Sequence, residues 1–326
     1  MSDTVIGYNP RIYDLVSPDA VLEQLAGGAK HSEGPIYLPQ EDSVVWSDVS
    51  GNRLFRWSAA DGVSVIREPS QYQNGNALDS EGRIVACSHG QRAIIRREQR
   101  SDEASGEWRV LCGGYHGKRL NSPNDLVVKS DGSIWFTDPP FGLTQPEEGC
   151  GGEQEQAGSF VFRFDPSAGA VGAGEASAAG SASPEIDPSQ GAITPVVAEM
   201  ERPNGLAFSP DERILYVSDT SQVDYPQGHH TIRAYDIVDS PMGQVEAANS
   251  RVFAVIGPGQ PDGLTVDRHG NVFTSSADSV QVYAPDGTRL GKILVPEVCT
   301  NVTFGGLDGK RLFITAGTSL YAITVL

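Results

Sequence analysis

Six residues with a side-chain oxygen lead six similar segments of this sequence, and together they could hold a cation. They are Glu33, Asn74, Asn124, Asn204, Asp262 and Asn301. Carboxylate and amide oxygens without a thiolate are the ligand set of a hard cation. Two of the six are acidic, so they would offset the charge of a divalent ion. A single Asn-Gly pair is more simply interpreted as a turn, but six such residues at one repeat position favour a site.

The segments behind these lead residues share one pattern: a small or apolar residue, a β-run, a turn, and a second β-run. The clearest copies are SPNDLVVKSDGSIWFTD, RPNGLAFSPDERILYVSD and QPDGLTVDRHGNVFTSS. In four copies a turn residue follows the lead residue at the same distance, at Gly82, Gly132, Glu212 and Gly270. Repeats of about 40 to 50 residues are typical of propellers, with one four-stranded blade per repeat. The sequence therefore predicts an all-β, six-bladed β-propeller whose innermost strands bring the lead residues to one level of a central channel.

The interval from Asn124 to Asn204 is longer than one blade needs. It contains an Ala/Gly/Ser-rich stretch, 166–192, that has no hydrophobic period. Such composition is typical of flexible linkers. We expect a single propeller domain, 1–326, with a flexible surface insert at about 145–195.

The last copy is too short to form a whole blade. It offers three strands, at Asn301–Phe304, Arg311–Ala316 and Leu320–Leu326. A free sheet edge would invite aggregation, and closed rings remove it. We expect Val21–Leu25 to add the missing outer strand, so that strands from both termini close the ring.

The composition of the chain limits the kinds of molecule that it could bind. The formal net charge of −18 argues against nucleic acid and against an anionic membrane surface. No apolar run is long enough to span a bilayer and no signal peptide is recognisable, so we expect a cytoplasmic protein, with its oligomeric state left open. The four cysteines have no metal-binding spacing, and we expect buried free thiols. No GxSxG, P-loop or GxGxxG motif supports a serine hydrolase, an NTPase or a dinucleotide enzyme.

A second set of polar residues ends the second β-run of four copies: Asp48, His89, Asp138 and Asp219. We expect them farther along the channel or in the loops around it. A carboxylate that caps a turn is an equally good interpretation of each. The other histidines, His31 among them, fit loop positions without metal spacing.

The sequence resembles the senescence-marker-protein, gluconolactonase and luciferin-regenerating-enzyme family, most closely its bacterial gluconolactonase-like members. The match runs from about Glu33 to Leu326 and rests on SEGPIYL, GNRLFRW, GKRLNSPNDLVVKSDGSIWFTDPPFGL, RPNGLAFSPDERILYVSDT, PDGLTVDRHGNVF and CTNVTFGG in this order. The resemblance implies a six-bladed propeller with one axial metal bound by Glu, Asn and Asp, here Glu33, Asn204 and Asp262. It implies a substrate contact at Asn124. Some animal members carry an arginine two residues earlier, where this chain has Ser122.

The resulting hypothesis is metal-dependent hydrolysis of a sugar lactone. Calcium is the expected ion, with zinc, magnesium, manganese and iron(II) as alternatives. Asp262 is the candidate general base, and Asn124, Asn74, His89 and Asp138 are candidates for binding substrate, with Asp138 or His89 as alternative bases.

Two other functions fit the same pattern. A phosphotriesterase-like hydrolase would need the same electrophile-activating cation. A non-catalytic propeller could use the ion as a structural ion that stabilises the fold on its axis, while the protein binds another protein. It would show metal-dependent stability without turnover.

Overall fold

The protein folds into six antiparallel sheets arranged as the blades of a β-propeller. A computed structural model describes residues 4–98, 106–168, 191–240 and 244–326. Five of the sheets have four strands and one has five. The innermost strands of neighbouring blades contact one another in a closed ring. The predicted all-β, six-bladed propeller is confirmed.

Each blade follows the chain from the axis outward, apart from the outermost strands of blades 5 and 6, which come from the N-terminal region. Blade 1 comprises Ser32–Leu38, Ser43–Asp48, Arg53–Ser58 and Gly62–Arg67, and blade 2 comprises Gln73–Leu78, Ile84–Ser88, Ala93–Arg97 and Trp108–Cys112. Blade 3 comprises Leu126–Val128, Ile134–Asp138, Phe160–Asp165 and Ala192–Val197, and blade 4 comprises Pro203–Phe208, Ile214–Asp219, Thr231–Asp239 and Val245–Val255. Blade 5 comprises Leu264–Val266, Val272–Ser275, Ser279–Tyr283 and Arg289–Leu294, and blade 6 comprises Cys299–Gly305, Arg311–Ala316, Ser319–Thr324 and Glu23–Ala26.

The turn between the first two strands of a blade explains the conserved offset within the repeats. The backbone φ angle is 76° at Gly82, 84° at Gly132, 56° at Glu212 and 85° at Gly270. Positive φ is readily adopted by glycine and costs other residues free energy. The four predicted turn residues therefore occupy one left-handed position of the same hairpin.

Both ends of the chain contribute strands to the ring. Glu23–Ala26 pairs with Ser319–Thr324 as the outermost strand of blade 6, close to the predicted Val21–Leu25. Val5–Gly7 pairs with Arg289–Leu294 as a fifth strand of blade 5. We did not predict this three-residue strand, because so short a segment shows no period of its own. A 3-10 helix, Pro10–Asp14, follows it.

The expected insert at about 145–195 contains two strands of blade 3. Phe160–Asp165 and Ala192–Val197 pair with each other, and Phe160–Asp165 also pairs with Ile134–Asp138. The low-complexity stretch 166–192 separates the two strands, and its residues 169–190 lie outside the described part of the chain. Before these strands, a four-residue helix, Phe141–Thr144, opens a segment that lies against the channel mouth.

Two small elements complete the fold. A 3-10 helix spans Ser221–Val223, and a short hairpin pairs Gly114–Tyr115 with Lys118–Arg119. No helix within the described ranges is long and apolar enough to cross a bilayer.

Large aromatic side chains pack between the blades. Trp46, Trp135, Phe136 and Tyr216 are at most 2% exposed. Trp135 of blade 3 meets Phe208 of blade 4 edge-on, with ring centroids 5.2 Å apart. Burial of each such side chain contributes roughly 2–3 kcal/mol, which holds adjacent blades together.

Three of the four cysteines are buried, and Cys150 is exposed, contrary to the expectation that all four are buried. Burial raises the pKa of Cys112 and of Cys299 to about 12, and it raises the pKa of Cys87 well above its usual range. Because the thiolate is the reactive form, we expect one fast-reacting thiol in native protein and four after unfolding. Titration with a chromogenic disulfide reagent measures this. Two or more fast thiols in the native protein would contradict the fold around the buried cysteines.

Candidate functional site

The six lead residues lie at one end of the innermost strands, around the axis. Five of them are at most 6% exposed, and Asp262 is partly buried. Their backbones are joined from blade to blade: the amide of Gly75 donates to the carbonyl of Asn124 at 2.8 Å, and the amide of Gly205 donates to that of Asp262 at 3.2 Å. The repeat argument, which placed these residues on one level of the channel, agrees with this arrangement.

Hydroxyl groups fix the lead residues further. Ser47, Thr137 and Ser218, on the second strands of blades 1, 3 and 4, each donate to the backbone carbonyl of a lead residue in the next blade, over 2.6 to 2.7 Å. The carbonyls of Asn74 and Asp262 also accept from Asn76 Nδ2 and from the amide of Gly205, so each of these two has two donors. The side chains at the axis are therefore carried by a rigid backbone.

Glu33, Asn204 and Asp262 come from three different blades and approach one another in the channel. The side chain of Asn204 lies near the carboxylate of Asp262 and acts to lower its pKa. Burial and then the charge of Asp262 raise the pKa of Glu33 well above its usual range. Burial, followed by the charges of Asp125 and Glu148, raises the pKa of Asp262. Two carboxylates thus share a buried space, where each disfavours the ionised form of the other.

Asn74 and His89 form a second polar pair beside this group. His89 Nδ1 lies 2.8 Å from the backbone carbonyl of Glu148, and His89 Nε2 lies 3.4 Å from Asn74 Nδ2. A carbonyl can only accept, so Nδ1 carries the proton and Nε2 accepts from the Asn74 amide. Burial lowers the pKa of His89, which keeps the ring neutral. Asn74 Oδ1 is buried and has no hydrogen-bond partner among the described residues.

The two remaining substrate candidates lie in different surroundings. The backbone of Asn124 is held on both sides, by Gly75 and by the carbonyl of Thr137. Asp138 accepts from the backbone amide of Asn121 at 2.8 Å, and its Oδ1 has no described partner. Burial raises the pKa of Asp138 to about 7. The contacts found for Asp138 are with the loop before blade 3 and not with a lead residue.

Asp48 and Asp219, which occupy the same repeat position as Asp138, cap loops. Asp48 binds the guanidinium of Arg53 at 2.6 Å and accepts from the backbone amides of Lys30 and His31. Asp219 accepts from the amides of Glu201 and Ser221. The turn-capping interpretation therefore describes both carboxylates.

Sequence reasoning missed a contribution from segment 139–159, which we call the strap. Its Glu148 forms an ion pair with His31, with Oε1 2.7 Å from Nδ1. Although burial opposes protonation, the hydrogen bond and charge of Glu148 raise the pKa of His31 to about 8. We had expected His31 to be an ordinary loop residue. No motif surrounds Glu148, and its place in a range expected to be flexible hid its role.

The strap is anchored at both ends. Ser122 Oγ donates to the carbonyl of Pro139 at 2.6 Å and accepts from the amide of Gly142 at 3.0 Å. Farther along, Gln156 Nε2 donates to the carbonyls of Lys118 and Arg119. Gly142 lets the helix Phe141–Thr144 approach Ser122 closely, because a Cβ at Gly142 would lie only 3.0 Å from Ser122 Cβ.

Sequence reasoning also missed Asp125, the residue after the lead Asn124. It is 7% exposed, and its Oδ2 accepts from Asn301 Nδ2 at 3.2 Å across the channel. Burial raises the pKa of Asp125 to about 6, although hydrogen bonds from Leu126 and Asn301 oppose this shift. Four of the other five repeats have glycine at this position, so the repeat pattern assigned no role to the carboxylate.

The residues present at the axis fit a hard divalent cation. Glu33 and Asp262 are carboxylates whose mutual repulsion a cation would relieve, and Asn204 adds an amide oxygen. Among the described residues, no three or more His, Cys, Asp or Glu side chains are grouped to hold a metal ion. The candidate set has only two such residues and a neutral amide, so it does not form a group of that kind.

The family model described as the SMP-30/Gluconolactonase/LRE-like region matches residues 31–318. A gluconolactonase of Zymomonas mobilis is 30% identical over 344 residues, which covers 99% of this chain and 87% of the relative. A pentonolactonase of Haloferax volcanii is 26% identical and covers 87% of this chain and 80% of its own length. The solved structure of a gluconolactonase from Xanthomonas campestris superimposes with a TM-score of 0.83 at 36% identity, covering 99% of this chain and 94% of its own.

Proposed function

The chain belongs to the SMP-30/gluconolactonase/LRE-like family, and on that premise we propose that it is a divalent-metal-dependent lactonase that opens a sugar lactone. The observation that supports this most directly is the approach of Glu33, Asn204 and Asp262 at the axis. The two carboxylates repel each other there, and the charge of His31 acts on Glu33 in the opposite direction. Such a site is favourable for a divalent cation.

In this proposal Glu33, Asn204 and Asp262 would hold the ion, with calcium as the expected metal. When bound, the cation would act as a Lewis acid that polarises the lactone carbonyl. Asp262 is the proposed general base that would accept the proton of the attacking water, since it is acidic and belongs to the proposed ligand set.

The polar pair beside the cation ligands suits sugar hydroxyls. Asn74 Oδ1 is a buried acceptor without a described partner, and a hydroxyl of the substrate would satisfy it. His89 Nε2, the unprotonated nitrogen, accepts in the same way. Asn124 and the unpartnered Oδ1 of Asp138 are the further proposed hydroxyl contacts. These groups are mostly acceptors, which favours a polyhydroxylated ring.

The test is lactone hydrolysis by metal-stripped protein titrated with calcium, magnesium, manganese, zinc and iron(II). Gluconolactone and a pentonolactone serve as substrates, with the spontaneous rate subtracted. We expect one of these ions to restore turnover. Tight cation binding without hydrolysis of either lactone would remove the lactonase assignment. Hydrolysis of phosphotriesters by the same protein would then support the phosphotriesterase alternative.

Glu148→Ala is expected to raise KM for the lactone by about tenfold, with a smaller change in kcat. The substitution removes the ion pair with His31 and so loosens the strap, whose backbone holds the His89 ring. Binding of the sugar hydroxyls should therefore weaken more than the rate of the chemical step falls. Loss of a charged hydrogen bond costs roughly 1.5–3 kcal/mol, which should also lower the melting temperature. Steady-state kinetics and thermal unfolding measure both effects.

The matched control is Glu153→Ala, because Glu153 lies in the same strap but is exposed. It should leave KM and the melting temperature unchanged. Equal behaviour of the two variants would show that Glu148 has no role in the site.

A further inference from the structure

The position after the lead residue is crowded in four blades. Gly34, Gly75, Gly205 and Gly263 occupy it, and a Cβ there would lie 2.0 to 2.4 Å from an atom of the next blade. Real Cβ atoms do not approach so closely, so only glycine fits. Blade 3 departs from this rule with Asp125, and blade 6 departs with Val302. The channel thus has room for a side chain at blade 3, and an acidic one occupies it.

The carboxylate of Asp125 is part of a bridge across the channel. Its Oδ1 accepts from the amide of Leu126 at 2.9 Å, and its Oδ2 accepts from Asn301 Nδ2 at 3.2 Å. The same Nδ2 lies 3.2 Å from Glu33 Oε2. One amide group therefore uses its two N–H bonds for two carboxylates, and it joins blades 3, 6 and 1.

The bridge leaves little freedom to its members. Asn301 Oδ1 accepts from the amide of Val302 at 2.8 Å, so both ends of the Asn301 side chain are held. Glu33 Oε2 also accepts from the amide of Gly34 at 2.7 Å. Oε2 of Glu33 thus accepts from the Gly34 amide and from Asn301 Nδ2. This orients the carboxylate and leaves its other oxygen, Oε1, for a cation.

Asp125 is not needed to balance the charge of the cation ligands. Glu33 and Asp262 already offset a divalent ion, and a third buried carboxylate adds repulsion, since its charge raises the pKa of both. This repulsion costs free energy. The presence of Asp125 is therefore explained more simply by the Asn301 amide group that it holds in place than by its charge.

We propose that Asp125 is a positioning residue for the cation site, which acts through the Asn301 amide to fix the carboxylate of Glu33. The inference rests on the proposed function, because it presupposes that Glu33 binds the ion. Groups that orient a metal ligand typically change metal affinity by about 10- to 100-fold when they are removed.

The experiment measures calcium binding to the metal-stripped full chain by isothermal titration calorimetry. Asp125→Gly introduces the residue that four other blades carry at this position, so the fold should tolerate it. We expect its Kd for calcium to rise about tenfold, and Asn301→Ala to have the same effect. The double variant should bind like either single variant, because both substitutions break the same bridge. Circular dichroism should show a melting temperature of the metal-free protein that is unchanged within a few degrees.

Asp125→Asn separates positioning from simple charge. The asparagine removes the charge but keeps an oxygen that can accept from Asn301, so its Kd should rise only about threefold. Equal losses for Asp125→Asn and Asp125→Gly would assign the effect to charge and overturn the proposal. Additive effects in the double variant would also overturn it, as would a lower melting temperature with an unchanged Kd.

The same titration separates this inference from the function beneath it. A wild-type protein that binds none of the five divalent ions would overturn the proposed function and this inference together. If the wild type binds calcium and opens lactones, and the Asp125→Gly variant binds calcium equally tightly, only the inference about Asp125 is overturned.

Discussion

Asp262→Asn is expected to lower kcat for lactone hydrolysis by about 10²- to 10⁴-fold even at saturating cation, because it removes the proposed general base. The amide keeps an oxygen for the cation but cannot take the proton of the attacking water. Glu33→Gln should behave differently. It weakens cation binding, and excess cation should restore much of its turnover. The measurement is kcat as a function of calcium concentration, together with calcium affinity measured directly.

Asp286→Asn is the control for this comparison, because Asp286 is exposed in the same blade as Asp262. It should retain full activity. Near-wild-type turnover of Asp262→Asn with cation bound would remove the base role from Asp262. His89 and Asp138 would then be tested next, as the other titratable groups among the site candidates.

Gly205→Ala is expected to destabilise the fold by about 3 kcal/mol, at the upper end of the range for overpacking a core. A Cβ at this position would lie 2.3 Å from the carbonyl oxygen of Asp262 and 2.6 Å from the Cα of Gly263. Both atoms belong to the backbone of the next blade, so the innermost strands would have to separate. The substitution should also weaken cation binding, since it displaces Asp262 directly. Urea unfolding and calorimetry measure the two effects.

Gly113→Ala provides the matched control. A Cβ there has no neighbour closer than 3.8 Å, so the change should alter stability by less than about 1 kcal/mol. If Gly205→Ala were as stable as Gly113→Ala, the close packing of the innermost strands would be contradicted.

The repeat pattern was enough to predict the architecture. Each blade repeats its lead residue, its turn and its two inner strands, and a ring of equivalent units places equivalent residues at equal height on the axis. This symmetry located all six lead residues, including Glu33, Asn204 and Asp262. It also located the outer strand from the N-terminal region, because the last repeat was short by one strand.

Residues that break the repeat could not be found in this way. Asp125 stands where the pattern has glycine, and nothing local shows that its carboxylate meets Asn301 from the opposite side of the channel. Glu148 lies in the range that the sequence predicts to be a flexible insert, yet it contacts His31 across more than one hundred positions of sequence. Both contacts depend on how distant segments meet, which is information that a local pattern does not contain.

The sequence by itself thus determined the number of blades, the closure of the ring and the oxygen donors on the axis, because these follow from periodicity. Only the tertiary structure decided which hydrogen-bond donor pairs with which acceptor in the channel. It orients the Asn301 amide towards two carboxylates, fixes the His89 tautomer through the carbonyl of Glu148, and leaves Asn74 Oδ1 without a described partner. The physical reason is that hydrogen bonds are directional and short-ranged, so the identity of each partner is settled only when the blades have packed.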